Sequence, residues 1–340
     1  MATYIAKSLI SDAGGLKQSD EITWKGSKLL PKIELLKVCT ILLLMGTFFF
    51  PGICAAATPG DNSSHANASI SLGSKGIIDA NLTNFVEEAV AYAHKNSQDE
   101  VIREFNNPNG TFSRNDLYIF AYGFNGTTLA HPYRHDLVGR DNINLTDVNG
   151  VPLIKNMISI AERGNGFLYY VWSNPAHDNK DELKLTYVDK VDNAWWLAAG
   201  TYLSNISADF SQASRNNLTR FVDSAVKYAR ENGKDRALKE FNDQNGTFFN
   251  GGLYVFAYDF NCSTLAAPTQ PHLIGTNRFD FADPNGVRLI RDMSDLAKGG
   301  RGFTYYVYPD PTRNMTERLK LSFVEKVDDT WWLGAGIYTQ

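Results

Sequence analysis

The side chains through which this chain could do chemistry are six histidines, three cysteines and a lysine set in an apolar strand pattern. Only His131 and His135 lie close together, four residues apart, a spacing that on a helix would offer two imidazoles to a metal. Pro132 stands between them and rules out a helical pair, so His131, His135 and Asp136 could meet only in a loop, and no metal is expected. Before a proline at a strand end, His131 reads either as a ligand contact or as a ring hydrogen-bonded to the loop that follows it. Cys39 and Cys54 fall in an apolar stretch near the N-terminus and Cys262 is alone, so neither a disulfide framework nor a thiolate cage can be built. There is no nucleophile elbow and no phosphate-cradling glycine loop, so neither an enzyme nor a cofactor is expected. Lys184 is more informative. Strand alternation puts Lys184 and Thr186 on one face and Leu183, Leu185 and Tyr187 on the other. The sequence leaves open which face is inner, and a lysine turned inward would need a reason for its burial.

The elements that must carry these residues are written twice. Leu117 to Tyr202 returns as Leu253 to Tyr338 at a constant offset, 338 − 202 = 136, without insertion or deletion. Trp195, Trp196, Leu197 and Gly200 become Trp331, Trp332, Leu333 and Gly336. A period this long fits a duplicated domain, since solenoid repeats run about 20 to 50 residues. Each copy opens on a helical stripe: Leu82, Phe85, Val86, Ala89, Val90 and Ala93 match Leu218, Phe221, Val222, Ala225, Val226 and Ala229. A second short helix follows, with Ser97 placed to cap it, ending near Phe105. Leu117 to Phe124 and Thr127 to His131 flank Asn125-Gly126, a hairpin signal. Val151 to Arg163 has helical spacing, and Gly166 to Trp172, Glu182 to Val191 and Ala194 to Tyr202 read as strands. The expected fold class is α+β, each copy a five-stranded antiparallel sheet with packed helices.

Residues 1–57 hold six lysines and four acids, so of the formal net charge of −4 the remainder carries −6, which argues against a nucleic-acid partner. Within that leader, Val38 to Phe50 is apolar, preceded by lysines and followed by Ala55, Ala56 and Ala57. It reads as a signal peptide, or, if uncleaved, as an anchor over 38–57 that would be the chain's one link to a membrane. Residues 58–76, rich in Ser, Asn, Gly and Ala, read as a linker. The expected organisation is then module one over 77–204, a joint over 205–213 and module two over 214–340, all outside the cytoplasm. Eleven glycosylation-type triplets fit an exported protein, although at Asn109, Asn125 and Asn245 turn chemistry is the better reading.

With the order helix, helix, two strands, helix, three strands in place, the residues themselves resemble the single Cache domain of the sCache_2 type, an extracellular sensory fold related to PAS domains. The carriers in copy one are Tyr118 and Phe120, Asn125-Gly126, His131-Pro132, Leu137 with Gly139, Asn149-Gly150, Gly166-Phe167, Tyr170 with Trp172, Lys184 with Tyr187-Val188, and Trp195-Trp196 before Gly200 and Tyr202. The resemblance implies a module that holds a small molecule, often a short carboxylate, between sheet and loops. The candidate contacts are Tyr118, Tyr122, His131, Arg140, Tyr170, Trp172, Lys184 and Tyr187, with His131, Arg140 or Lys184 supplying the cation or donor. Copy two offers Tyr254, Tyr258, Tyr306, Tyr308 and Lys320. It departs where His131, Gly123 and Trp172 become Ala267, Asp259 and Tyr308, which puts its own binding in question. Because each copy has its own first helix, two single modules in tandem are expected rather than one double sensor. The chain ends two residues after the last matching position, so no output domain is expected within it. Binding would then be used locally or reported by a partner such as a membrane receptor or another surface protein. A structural or interaction protein that uses the modules as spacers is the competing reading.

Overall fold

The computed structural model describes residues 77–339; the expected signal segment and linker, with Cys39 and Cys54, lie outside the described residues. Among the described residues no helix is long and apolar enough to cross a membrane.

In the first module α1 (Ile77–Lys95) and α2 (Gln98–Phe105) precede a two-stranded ribbon of β1 (Ser113–Arg114) and β2 (Leu117–Tyr118). The main sheet follows: β3 (Phe120–Gly123), β4 (Thr128–Ala130), then α3 (Leu153–Glu162), β5 (Asn165–Asn174), β6 (Lys180–Lys190) and β7 (Trp195–Tyr202). Its order is β4-β3-β7-β6-β5, every pair antiparallel. The single strand expected over 117–124 is two, because Ile119 gives its N–H to Phe112 and the chain changes partners there. Asn125-Gly126 makes the expected turn, with Gly126 at φ +83° and the Asn125 side chain accepting from the Thr127 N–H at 3.1 Å. Ser97 sits at the N-cap of α2, but its side chain makes no capping bond.

The sheet has two covered faces, which alternation assigns. Leu82, Phe85, Val86 and Ala89 of α1 pack with Ile119, Ala121, Tyr187, Trp195 and Leu197 on one face. Leu153, Ile154, Met157 and Ile160 of α3 roof the other, against Tyr118, Phe120, Tyr122, Tyr170 and Trp196. Adjacent tryptophans therefore part company: Trp195 meets α1, while Trp196 stacks on Tyr122 at 5.2 Å.

The second module repeats this with α4 (Gln212–Asn232), α5 (Lys234–Phe241), β8 (Phe249–Asn250), β9 (Leu253–Tyr254), β10 (Phe256–Asp259), β11 (Thr264–Ala266), α6 (Leu289–Lys298), β12 (Arg301–Asp310), β13 (Thr316–Lys326) and β14 (Trp331–Tyr338), in sheet order β11-β10-β14-β13-β12. Ser211 caps α4 by accepting from the Ser214 N–H.

The two modules meet through an isologous surface, the kind a two-fold axis generates, in which each contact recurs with the roles exchanged. Asn149 donates to the Tyr305 hydroxyl at 2.6 Å and Asn285 to the Tyr169 hydroxyl at 2.8 Å, with 285 − 149 = 305 − 169 = 136. Gly150 faces Phe303 and Gly286 faces Phe167, again 136 apart. Around these bonds Val151, Tyr169, Val171 and Leu185 pack with Val287, Tyr305, Val307 and Leu321 in one shared core, to which the joint contributes Phe210. The modules therefore pack directly against each other, with the joint's Phe210 inside the shared core.

Candidate functional site

Lys184 is the centre of the first module's candidate site. It leaves β6 opposite Tyr170 of β5 and Tyr202 of β7, on the α3 face. It is fully buried, and its Nζ has no hydrogen-bond partner. Aromatic rings take the place of one: Nζ lies 3.9 Å from the centre of Tyr118, 4.6 Å from Tyr202 and 5.7 Å from Phe120. Negative ring faces attract an ammonium but do not replace its lost water. Desolvation accordingly pulls the amine from 10.5 down to about 7, with only the Asp116 charge opposing it. Tyr118 and Tyr202 join hydroxyls at 3.2 Å, and Tyr202 donates onward to the Ser173 carbonyl at 2.7 Å.

Gly200 makes room for this lysine. A Cβ there would lie 2.8 Å from Lys184 Cε and 2.2 Å from Thr186 Oγ1, and Gly336 stands in the same relation to Lys320 and Ser322.

His131 is buried between Phe120 and Trp172, with Nδ1 accepting from the Tyr133 and Arg134 N–H groups at 3.3 and 3.1 Å. This is the loop-bracing histidine. Burial, then the Lys184 and Arg134 charges, push it down to about 3, so at neutral pH it is uncharged and its proton is on Nε2. His135 bonds the Asn106 carbonyl through Nε2.

Of the eight expected contacts, Tyr118, Tyr122, His131, Tyr170, Trp172 and Lys184 converge on the α3 face. Two do not. Tyr187 lies on the α1 face against Phe167, because it is an odd number of residues from Lys184 along a strand, and Arg140 is exposed on the loop. Sequence reasoning missed Tyr202, whose pairing opposite Lys184 needs the register, and Arg134, whose guanidinium lies 5.6 Å from the Trp172 ring centre while paired with Asp136.

The second module keeps Tyr254, Tyr258, Tyr306, Tyr308 and Lys320 together but wires them differently. Lys320 donates to the Tyr254 hydroxyl at 3.1 Å. Burial alone would raise that phenol, but the Lys320 charge together with hydrogen bonds involving Tyr338, Lys320 and Thr269 outweighs it and holds Tyr254 below its ordinary value. Arg278 donates to the Tyr308 hydroxyl at 3.0 Å, which in turn donates to Gln270 at 2.6 Å. Where His131 stands in the first copy, Ala267 borders a cavity of about 20 Å³ beside Tyr254, Tyr306 and Lys320 under α6. That is room for one water-sized guest.

A single family model, dCache_2, described as Cache domain, matches residues 83–340 and spans both copies. This corrects the expected sCache_2 type: the duplicated pair is one double unit even though α1 and α4 are separate helices, because the shared core between the sheets joins them. The sensor histidine kinase MctS of Rhizobium johnstonii is 32% identical over 127 residues, covering 36% of this chain. The chain spans 27% of that kinase. Among solved structures, a methyl-accepting chemotaxis protein from Vibrio parahaemolyticus is 27% identical over 37% of this chain and 88% of its own, with a TM-score of 0.33. A Cache chemosensory domain whose structure is described as a basis for carboxylic acid recognition is 25% identical over 38% and 95%, with a TM-score of 0.34. The extracellular domain of the histidine kinase mmHK1S-Z3 is 15% identical over 77% and 86%, with a TM-score of 0.22.

Proposed function

We propose, from the premise that the chain belongs to the double Cache family, that it is an extracytoplasmic sensory module whose first copy captures a small carboxylate against Lys184. The observation that carries this is a fully buried ammonium without a hydrogen bond, boxed by Tyr118, Phe120 and Tyr202. Leaving such a charge unpaired is costly, and a carboxylate entering beside it forms a charge-assisted bond in a medium of low dielectric. Tyr118 and Tyr202 face the amine with their rings and join their hydroxyls beyond it, and the neutral His131 packs beside Tyr118 and Trp172. Lys320 already donates to Tyr254, so the first copy has the stronger unmet demand.

Thermal denaturation in the presence of acetate, propionate, pyruvate and lactate tests the reading, with neutral amides as controls. A ligand at a hundred times its dissociation constant adds about 2.7 kcal/mol of stability. The gain is expected for one or more carboxylates and is absent in Lys184→Ala. If no carboxylate stabilises the wild-type chain, the reading fails, and capture of a protein partner that survives Lys184→Ala would favour the spacer reading instead.

A further inference from the structure

Eleven Asn-x-Ser/Thr triplets are more than the composition supplies. With 29 asparagines and 43 serines and threonines among 340 residues, chance places a hydroxyl residue two positions after an asparagine 29 × 43/340 times, about four. Nine of the triplets fall among the described residues, and all nine asparagines are exposed. Of the 27 − 9 = 18 described asparagines outside triplets only nine are exposed. The three buried ones, Asn149, Asn174 and Asn285, have no hydroxyl residue two positions on.

Turn chemistry accounts for some of the nine and not for others. Asn125 accepts from the Thr127 N–H, and Asn314 stands at φ +53°, a left-handed conformation that asparagine tolerates. In the second copy the corresponding turn is held differently: Asp259, where the first copy has Gly123, accepts from the Asn261 and Ser263 N–H groups at 2.9 and 2.8 Å. Asn261 is thereby released from the role of Asn125. The triplet persists all the same, although both residues after the asparagine have changed, Gly126 and Thr127 to Cys262 and Ser263. Asn81 and Asn217 lie inside helices, at equivalent positions of α1 and α4, 217 − 81 = 136. Each opens an Asn-Leu-Thr run whose leucine is buried while the asparagine faces solvent. Asparagine and threonine are both poor helix formers, so neither helix gains from the pair. Among the described residues the side chains of Asn81, Asn144 and Asn261 make no hydrogen bond, and that of Asn217 meets the exposed Arg220.

We propose that Asn81, Asn144, Asn217 and Asn261 are N-glycosylated as the chain is exported, by transfer of an oligosaccharide from a polyprenyl phosphate carrier. The inference rests on the extracytoplasmic part of the proposed function and not on the carboxylate. In the transfer the carboxamide nitrogen of the asparagine bonds to C1 of the first sugar, the bond from C1 to the carrier's phosphate oxygen breaks, and the amide proton leaves with the phosphate. No oxidant or reductant takes part. The hydroxyl two residues on marks the acceptor, which is why it survives at positions where the fold makes no use of the asparagine.

Peptide mapping by mass spectrometry of the full chain, purified from the cells that export it, is the test. The same chain made in a bacterial host without an oligosaccharyltransferase is the unmodified standard. Peptides containing the four asparagines should carry a series of sugar residues that the standard lacks. Asn84 and Asn216, exposed on the same two helices but outside any triplet, should be bare. Thr83→Val and Thr219→Val keep the asparagine and the shape of the neighbouring side chain, and should lose the sugar at Asn81 and Asn217 respectively. Four bare asparagines in a chain that surface proteolysis places outside the cell overturn the proposal and leave the carboxylate reading standing, since that reading is measured on the unmodified standard. Bare asparagines in a chain found inside the cell overturn the proposal and the extracytoplasmic reading together. Sugar on Asn84 or Asn216, or sugar that persists in the valine variants, also overturns it.

Discussion

Replacing Lys184 with methionine removes a charge while keeping most of the volume. The folded chain holds the Lys184 amine at about 7, against 10.5 for a solvated lysine. The unfolded chain therefore binds more protons than the folded one between those values, and stability must climb as pH rises through that window. At about 1.36 kcal/mol per pH unit, with half protonation at the lower end, the climb between pH 7 and pH 9 is about 2.3 kcal/mol. Of the other shifted groups, His131 acts from about 3 to 6.5 and Asp292, raised to about 7 by burial, acts below 7, while Tyr254, held below its ordinary 10, adds a climb of the same sign that the substitution leaves in place. Burial raises Tyr118 above its ordinary value, so its window begins near pH 10. Urea unfolding at pH 7, 8 and 9 should show the climb in the wild type and a climb smaller by about 2.3 kcal/mol in Lys184→Met. At pH 7 the variant should be more stable by on the order of 2 kcal/mol, since the lost attraction to the rings is smaller than the relieved desolvation. The same amine must be protonated to hold a carboxylate, so affinity for one should fall roughly tenfold per pH unit above 7. A wild-type profile flat between pH 7 and 9, or a variant with the same climb, would refute a buried lysine of this kind.

Gly200→Ala is expected to cost about 1–3 kcal/mol by chemical denaturation and to abolish carboxylate-dependent stabilisation, because the new methyl meets Thr186 and the lysine stem at less than contact distance. Gly336→Ala carries the same cost at the second copy but spares that stabilisation. At the module junction, Asn149→Ala and Asn285→Ala each remove one buried bond to a tyrosine hydroxyl, and each should lower stability by about 1–3 kcal/mol. Since Asn149 also holds the Ala208 carbonyl, its loss should be the larger, and equal insensitivity of both variants in urea unfolding would argue against the reciprocal interface.

The gapless repeat made the fold legible, because an apolar stripe of period three to four and strands of period two need no tertiary information to be recognised. The same alternation already separated Lys184 from Tyr187. Choosing between the two faces required knowing that α3, and not α1, covers the side on which Tyr118 and Tyr170 lie, and that is a property of the packed sheet. Tyr202 escaped notice for a related reason: it is 18 positions from Lys184 in the chain, 202 − 184, and becomes its neighbour only when β6 and β7 pair in register. The junction was the least readable part. Asn149-Gly150 and Asn285-Gly286 carry ordinary turn residues, and nothing local distinguishes an asparagine that closes a turn from one that reaches across to another module's tyrosine. One signal was nevertheless present in the alignment of the two copies. Where duplicated modules face each other across an axis, positions that stay alike keep the interface symmetric, and positions that diverge mark where it is not. Arg163 against Gly299, Asp292 against Asn156, and Ser159 against Asp295 are such divergences, and the last two equivalent positions bond each other across the seam. Comparing the copies with each other thus points to the α3–α6 seam as the place where the chain has given up self-complementarity.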